Sequence, residues 1–355
     1  MVLGIDSAPT PNPTPEPTSN PTPEPTFAPT VSVIVPIYNG EQDIPRLLQA
    51  LKAQTYPAGK AEYLLVDNGS TDKTPQLLAD AIAHFTAAGL TLRVLNETDI
   101  QSSYAARNTG IRAASGDFLA FTDADCIPSA DWLRALIQPF IDPQIGLVAG
   151  DIQALPGNSL LEKYAEYKET LSQKHTLAHP FCPYGQTANL GIRVSAIAQT
   201  GLFRPYLTTG GDADMCWRII KEGKGPTGDQ WQIKSAPDAI IQHRHRQTTK
   251  ELYSQWYRYG KSNRYLHELH GVALTRSVNK KEQRRTLLKW LLKDLPNAAV
   301  IMLFQRRIAI DKLIGPVADV YCNRARDKGQ KESTLPETAR QKAPYPATPS
   351  TVSPQ

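Results

Sequence analysis

Apolar residues recur along this chain with two periods that take turns. Val31-Ser-Val-Ile-Val35 is β-branched, ends at Pro36, and predicts a buried strand. From Glu41 to Gln54, Ile44, Leu47, Leu48 and Leu51 fall at helical spacing, with Pro45 early, where a helix tolerates proline. Ala61 to Val66 predicts a second strand, stopped by Asp67-Asn-Gly-Ser-Thr-Asp72. A helix over 74–88, a strand over 91–95, a helix over 103–114 and a strand over 117–122 follow. Strand and helix alternating through short loops predict a doubly wound, mostly parallel sheet with helices on both faces. Ligands of such sheets bind beyond the carboxyl ends of the strands. Three polar clusters sit at those ends: Tyr38-Asn39, Asp67-Asn68 and Asp123-Ala-Asp125.

The pattern loosens after Asp125. Cys126-Ile-Pro128 reads as a turn, 132–140 as a helix, 145–149 as a strand and 160–174 as one helix. The expected division is a ligand-binding half over 31–125, a second, less regular half over 126–248 and a basic helical extension over 249–330. Proline at every second residue through much of 7–30 predicts an extended, disordered arm. The Pro-, Ser- and Thr-rich tail over 331–355 is expected to be disordered too.

Composition adds limits. The four cysteines are scattered, without a C-x-x-C pair, which argues against a disulfide framework or a zinc cluster and suits a reducing, cytoplasmic setting. A secretory signal is not expected, because no basic region with a following apolar run opens the chain. No apolar run approaches the roughly 18 residues of a membrane-spanning helix. From His243 to Lys331 there are 20 Lys and Arg against 7 Asp and Glu. No stacking motif or recognition helix accompanies that charge, so nucleic acid is not the expected partner.

Asp123 and Asp125, two carboxylates after a buried strand, suit a hard cation such as Mg²⁺ or Mn²⁺ shared with substrate phosphates. Alone, aspartates in a turn are common. Their setting is not. Val33-Ile-Val-Pro-Ile-Tyr-Asn39, Val66-Asp-Asn-Gly-Ser-Thr-Asp72, Ala105-Ala-Arg-Asn-Thr-Gly110 and Phe121-Thr-Asp-Ala-Asp125 occur in order. From Val31 to about Gly260 the chain resembles the family 2 glycosyltransferases, which have the GT-A fold and invert the transferred sugar.

The resemblance implies a role for particular residues. Pro36, Tyr38, Asn39 and Glu41 match the loop beside the donor's base and ribose, and Asp67 the aspartate that accepts from the base. Arg107 matches an arginine near the donor diphosphate, Asp123 a carboxylate near ribose and metal, and Asp125 the direct metal ligand. His243 matches a third metal ligand, although strand-end packing would also account for it. In Gly210-Gly-Asp-Ala-Asp-Met-Cys-Trp-Arg218, Asp212 matches the general base and Asp214 remains a rival. Gly211 stands where the family carries glutamate. Gln255 and Arg258 have the spacing of a motif that meets diphosphate or acceptor. The implied donor is a nucleotide-sugar, UDP-linked by default, and the implied acceptor a saccharide or a lipid-linked sugar.

Two other classes compete. A nucleotidyltransferase would open with a Gly-rich, basic loop for a triphosphate, whereas this chain has Pro36-Ile-Tyr-Asn39. A non-catalytic binding protein would have no need of Asp123, Asp125 and Asp212. In the basic region, Leu287, Leu288, Leu291, Leu292 and Leu295 form one stripe between Arg and Lys positions. Such a helix either covers the core or lies on an anionic membrane, which would put the enzyme at the inner face of the plasma membrane.

Overall fold

The structure, a computed structural model, describes residues 27–346. The arm before Phe27 and the last nine positions of the predicted tail lie outside the described residues.

Four strands, β1 (Val31–Ile37), β2 (Ala61–Asp67), β3 (Thr91–Asn96) and β4 (Phe118–Thr122), pair in parallel in the order β3-β2-β1-β4. The connections are α1 (Ile44–Lys52), α2 (Thr74–Ala87) and α3 (Ser103–Ala113). Four more strands, β5 (Cys126–Pro128), β6 (Ile145–Ala154), β7 (Asn189–Arg193) and β8 (Gln232–His243), complete one sheet ordered β3-β2-β1-β4-β7-β6-β8-β5. β7 runs antiparallel to both β4 and β6, so the sheet is parallel in its first half and mixed in its second. Pro36 lies past the last residue of β1 paired with β4, so its missing N–H costs that ladder nothing.

Both faces of the sheet are covered, which requires strands that are apolar at every position. On β1, Val33 and Val35 join one core with Leu47 of α1 and Phe85 of α2. Ile34, between them, joins the other with Tyr104 and Ile111 of α3. Leu64 and Leu65 of β2 divide the same way. This is the two-residue period of a strand buried on both sides.

The later helices are α4 (Trp132–Ile137), α5 (Leu160–Tyr167), α6 (Gln173–Leu177), α7 (Val194–Thr200), α8 (Gly211–Glu222), α9 (Thr249–His270), α10 (Lys280–Lys289), α11 (Leu295–Gln305), α12 (Ile310–Leu313) and α13 (Gly315–Glu332). Three expectations are corrected here. Cys126-Ile-Pro128 is not a turn but a strand paired with the end of β8, because its backbone completes that edge. The helix expected over 160–174 breaks after Tyr167, where Glu169 and Leu171 take positive φ, and restarts at Gln173. The tail is ordered well beyond Lys331: Leu335 and Ala339 are buried in the second core, and the Leu202 N–H donates to the Ala343 carbonyl at 2.8 Å. A Pro-rich composition did not reveal these few apolar anchors.

α9 and α13 approach through glycine. A methyl group on Gly260 would overlap the Arg326 carbonyl oxygen, and one on Gly329 the Tyr257 carbonyl oxygen. Gly260→Ala is therefore expected to cost at least about 3 kcal/mol by forcing two packed helices apart. A shift of the urea midpoint measures it, and an unchanged midpoint would mean the helices separate freely.

Candidate active site

The carboxyl ends of β1 and β2 form an open rim. Asp67 ends β2 in register with Ile37 and is nearly buried, its Oδ1 accepting from the Ser70 N–H at 3.1 Å. Tyr38 is half-exposed. Asn39 and Glu41 do something the sequence did not suggest. Asn39 takes φ +49°, a conformation asparagine tolerates, and its Oδ1 accepts from the Thr71 N–H at 2.8 Å. Glu41 Oε2 accepts from the Lys73 N–H, and the Glu41 N–H donates to Asp72. These bonds tie the β1 loop to the β2 loop and so hold the rim's shape.

Beside the rim lies a cavity of about 230 Å³. Arg107, Asp123, Asp212, His243, Gln255 and Arg258, from five separate places in the chain, all line it. Arg107, on α3, is buried and donates to Asp123 Oδ1 at 2.6 Å. Two steps on, Asp125 Oδ2 lies 3.3 Å from Nε2 of buried His243. The β5–β8 pairing makes this contact, because Cys126 and His243 are register partners. Cys126 Sγ lies close to both groups, but burial pushes its thiol pKa well up and keeps it neutral. A neutral thiol is a poor ligand for a hard cation. His243 Nδ1 is buried without a hydrogen-bond partner among the described residues.

Asp212 stands in the first turn of α8, partly open to this cavity. Its Oδ1 accepts from Thr187 Oγ1 at 3.0 Å and its Oδ2 from the Thr187 N–H at 3.3 Å. Burial raises its pKa; Arg107 opposes that, Asp123 adds to it, and the net shift is upward. The glycine before it has a structural reason. A Cβ on Gly211 would lie 2.6 Å from the Tyr104 ring, whose hydroxyl accepts the Gly211 N–H at 2.9 Å. Tyr104 thus fills the space a glutamate would need and satisfies a free donor at the helix start.

Asp214 is corrected as a substrate contact. It points away from the cavity, fully buried, bonded to Arg204 at 3.0 Å, Arg218 at 3.1 Å and His270 Nε2 at 2.9 Å. Two residues of a helix spaced by two do not share a face. Burial would raise its pKa, but the His270 hydrogen bond and the Arg218 and Arg204 charges outweigh that and hold it well below the carboxylate range. Asp214→Ala would leave Arg218 a buried, uncompensated charge and should cost about 3–5 kcal/mol in urea unfolding. Because the folded pKa is depressed, this stabilisation is complete above the unfolded value near 4 and fades as pH falls toward the folded value. Wild type and variant should therefore converge in stability in acid; a gap that persists at the lowest pH would oppose this reading.

Several lining residues were not singled out from the sequence. Thr187 and Tyr104 carry no motif of their own, and Arg246 was passed over beside His243. Arg246 and Arg258 form no ion pair among the described residues, and both line the cavity.

Residues 32–198 match the model described as Glycosyl transferase family 2. Glycosyltransferase AglE of Haloferax volcanii is 34% identical over 253 residues, covering 69% of this chain and 77% of that one. The chain belongs to glycosyltransferase family 2. A shorter match, 30% identical over 134 residues, covers 38% of this family 2 chain and 50% of an Escherichia coli enzyme named UDP-Glc:alpha-D-GlcNAc-diphosphoundecaprenol beta-1,3-glucosyltransferase WfgD. Among solved structures, a Pyrobaculum calidifontis mannosyltransferase in complex with GDP-Man and Mn²⁺ superposes with TM-score 0.59 at 18% identity, covering 88% of this chain and 90% of that one. The fold is thus the GT-A fold. No helix among the described residues is long and apolar enough to cross a membrane.

Proposed function

We propose that this glycosyltransferase is a metal-dependent, inverting enzyme that moves a hexosyl group from a nucleoside-diphosphate sugar to an acceptor hydroxyl. The observation that carries the reading is Asp212, a carboxylate of raised pKa facing the same cavity as Arg107, Asp123 and His243. Asp212 takes the proton of the acceptor hydroxyl as that oxygen bonds to the anomeric carbon. The bond from that carbon to the diphosphate breaks, and its electron pair leaves with the nucleoside diphosphate. One displacement from the face opposite the leaving group inverts the anomeric centre. Arg246 and Arg258, both without an ion pair among the described residues, suit the diphosphate's charge. Asp67 and Tyr38 take the base, with Pro36, Asn39 and Glu41 shaping its rim. Gln255 orients the acceptor side.

The donor set fits a hard divalent cation: Asp125 Oδ2 lies 3.3 Å from His243 Nε2, His243 Nδ1 has no hydrogen-bond partner among the described residues, and Asp123 is close in sequence. Asp125 and His243, with Asp123 near, would hold Mg²⁺ or Mn²⁺, which when bound would supply Lewis-acid neutralisation of the departing diphosphate. The solved relative with GDP-Man and Mn²⁺ supports a cation of this kind. Donor hydrolysis across UDP-, GDP- and dTDP-sugars, with Mn²⁺, Mg²⁺ or chelator, tests the proposal. Slow hydrolysis of one donor, lost with chelator, is expected. Failure of every donor to bind or turn over would sink it.

The acceptor is proposed to be lipid-linked, at an anionic membrane surface on the cytoplasmic side. The named substrate of the E. coli relative supports a lipid diphosphate. The predicted leucine stripe does not cover the core: Leu292 is 69% exposed, and Leu303 and Phe304 on α11 are 77% and 82% exposed. Lys281, Arg284, Arg285, Lys289, Arg306 and Arg307 surround these side chains in sequence. An apolar ridge with a basic border suits an interface of anionic lipid. Leu303→Asp with Phe304→Asp should weaken co-sedimentation with phosphatidylglycerol vesicles at least about tenfold, since each large side chain contributes roughly 1.5–3 kcal/mol on burial. Equal binding of both proteins would remove this ridge from the reading.

A further inference from the structure

Next to the Asp212 cavity lies a second one, about 420 Å³, between α9, α13 and the bend before α6. Leu171, Gln186 and Tyr259 line both. Trp256 and Arg326 line only the second of these two. Arg326 is on α13, outside the residues matched by the family model.

Arg326 is a half-buried cation without a counterion. No ion pair or side-chain hydrogen bond reaches it among the described residues, and its buried Nε is unpartnered. None of the acids around it pairs with it: Asp319 is bonded to Tyr164 and Lys168, Glu169, which lines the cavity, is paired with Lys174, and Asp327 is paired with Lys331 through Oδ2 while its Oδ1 is buried without a partner among the described residues. Burial already lowers the Arg326 pKa, so an anion arriving beside it would be favoured. The guanidinium carbon sits over the Trp256 ring, 4.4 Å from its centroid. The backbone here is fixed by the close approach of Gly260 to the Arg326 carbonyl. Trp256 and Tyr259 lie with ring centroids 5.6 Å apart, and Gln255 donates to the Tyr259 hydroxyl at 3.1 Å. Trp256 Nε1 is also buried without a hydrogen-bond partner among the described residues. Aromatic faces beside unused donors suit a sugar ring, apolar on its faces and polar at its edges.

Direction identifies the anion. The reacting hydroxyl must lie at Asp212, so the group at Arg326 is at the acceptor's other end, past Tyr259. In an activated or carrier-linked sugar that end holds an anomeric phosphate, which a guanidinium fork matches. We infer that this second cavity is an acceptor subsite for a saccharide linked through phosphate, with Arg326 on the phosphate and Trp256 and Tyr259 beside the ring. The inference rests on the transferase reading, since the acceptor's direction is set by Asp212.

The test is binding to the full chain, without donor or metal, read by saturation-transfer NMR and calorimetry. The probes are glucose 1-phosphate, glucose, glucuronate, inorganic phosphate and glucosyl octyl phosphate. Glucose 1-phosphate or the octyl diester should bind at least about tenfold tighter than glucose, glucuronate or inorganic phosphate, the gain of one charge-assisted pair. Tighter binding of the diester would point to a lipid carrier, and of the monoester alone to a free sugar phosphate. Arg326→Gln should bring the preference over glucose to within about twofold, while nucleoside diphosphate affinity with metal stays unchanged. Arg326→Lys keeps the charge but loses the fork, and should lose about three- to tenfold; it serves as the reading if Arg326→Gln does not fold. A preference that survives both substitutions, or inorganic phosphate or glucuronate binding as tightly as glucose 1-phosphate, would overturn the subsite. Donor handling fails or succeeds independently: phosphate preference with no donor bound or turned over would sink the transferase reading and leave this cavity as a phosphosugar site.

Discussion

Asp212→Asn is expected to lower kcat by about a hundred- to ten-thousandfold, the range over which a positioned general base contributes. Asparagine keeps the shape and can still accept from Thr187, which bonds both carboxylate oxygens. It cannot take the acceptor's proton. Nucleotide-sugar affinity should stay within about twofold, because Asp212 acts on the acceptor side. A second consequence separates a base from a structural aspartate. The Asp212 pKa is raised, first by burial and then by Asp123, against the pull of Arg107. A carboxyl whose folded pKa exceeds its unfolded value binds its proton more tightly when folded. Between those values stability falls as pH rises, and at neutral pH the charged group is a net cost. Asp212→Asn should therefore raise Tm at pH 7 while removing activity. The wild-type rate should rise with pH through a value above the ordinary aspartate pKa. A variant that loses activity together with Tm would mark Asp212 as a structural residue.

Asp125→Ala should abolish cation binding at the site. Removing groups that merely support a ligand typically costs roughly ten- to hundredfold in metal affinity, and a direct ligand should cost more. Mn²⁺ titration by electron paramagnetic resonance reads this without any turnover. His243 gives the companion measurement: its Nε2 lies 3.3 Å from Asp125, so His243→Ala should weaken Mn²⁺ while leaving the Arg107–Asp123 pair intact. Donor hydrolysis in Asp125→Ala should fall to the level of wild type with chelator. Undiminished Mn²⁺ affinity in both variants would move the cation away from this turn. Cys126→Ser provides a control, since its neutral, buried thiol is not expected to contribute, and Mn²⁺ affinity should not change.

The chain's local chemistry already contained much of this. Strand and helix periods, read in order, predict the parallel half of the sheet and place Asp67 and Asp123 at strand ends. Those features are local: a two-residue or 3.6-residue period is set by which faces of one element are buried. Four ordered motifs carried the family. The rim bonds of Asn39 and Glu41, by contrast, join two loops some thirty residues apart, and nothing in either loop alone requires the other.

The tertiary structure alone decided between residues of equal chemistry. Asp212 and Asp214 are both acids in the first turn of α8. One faces Thr187 and the cavity, and the other is held by Arg204, Arg218 and His270, partners that come from a preceding loop, the same helix and the end of α9. Likewise, 118 positions separate Asp125 from His243, and only the pairing of β5 with β8 brings them together. The glycine at 211 looked like a missing glutamate until the Tyr104 ring was found in its place. The ordered stretch to 346 depends on Leu335 and Ala339 finding a groove that helices far upstream build. In each case the sequence sets what a residue can do, because donors, charges and volumes belong to the side chain. Which of those capacities is used depends on neighbours supplied by long-range packing.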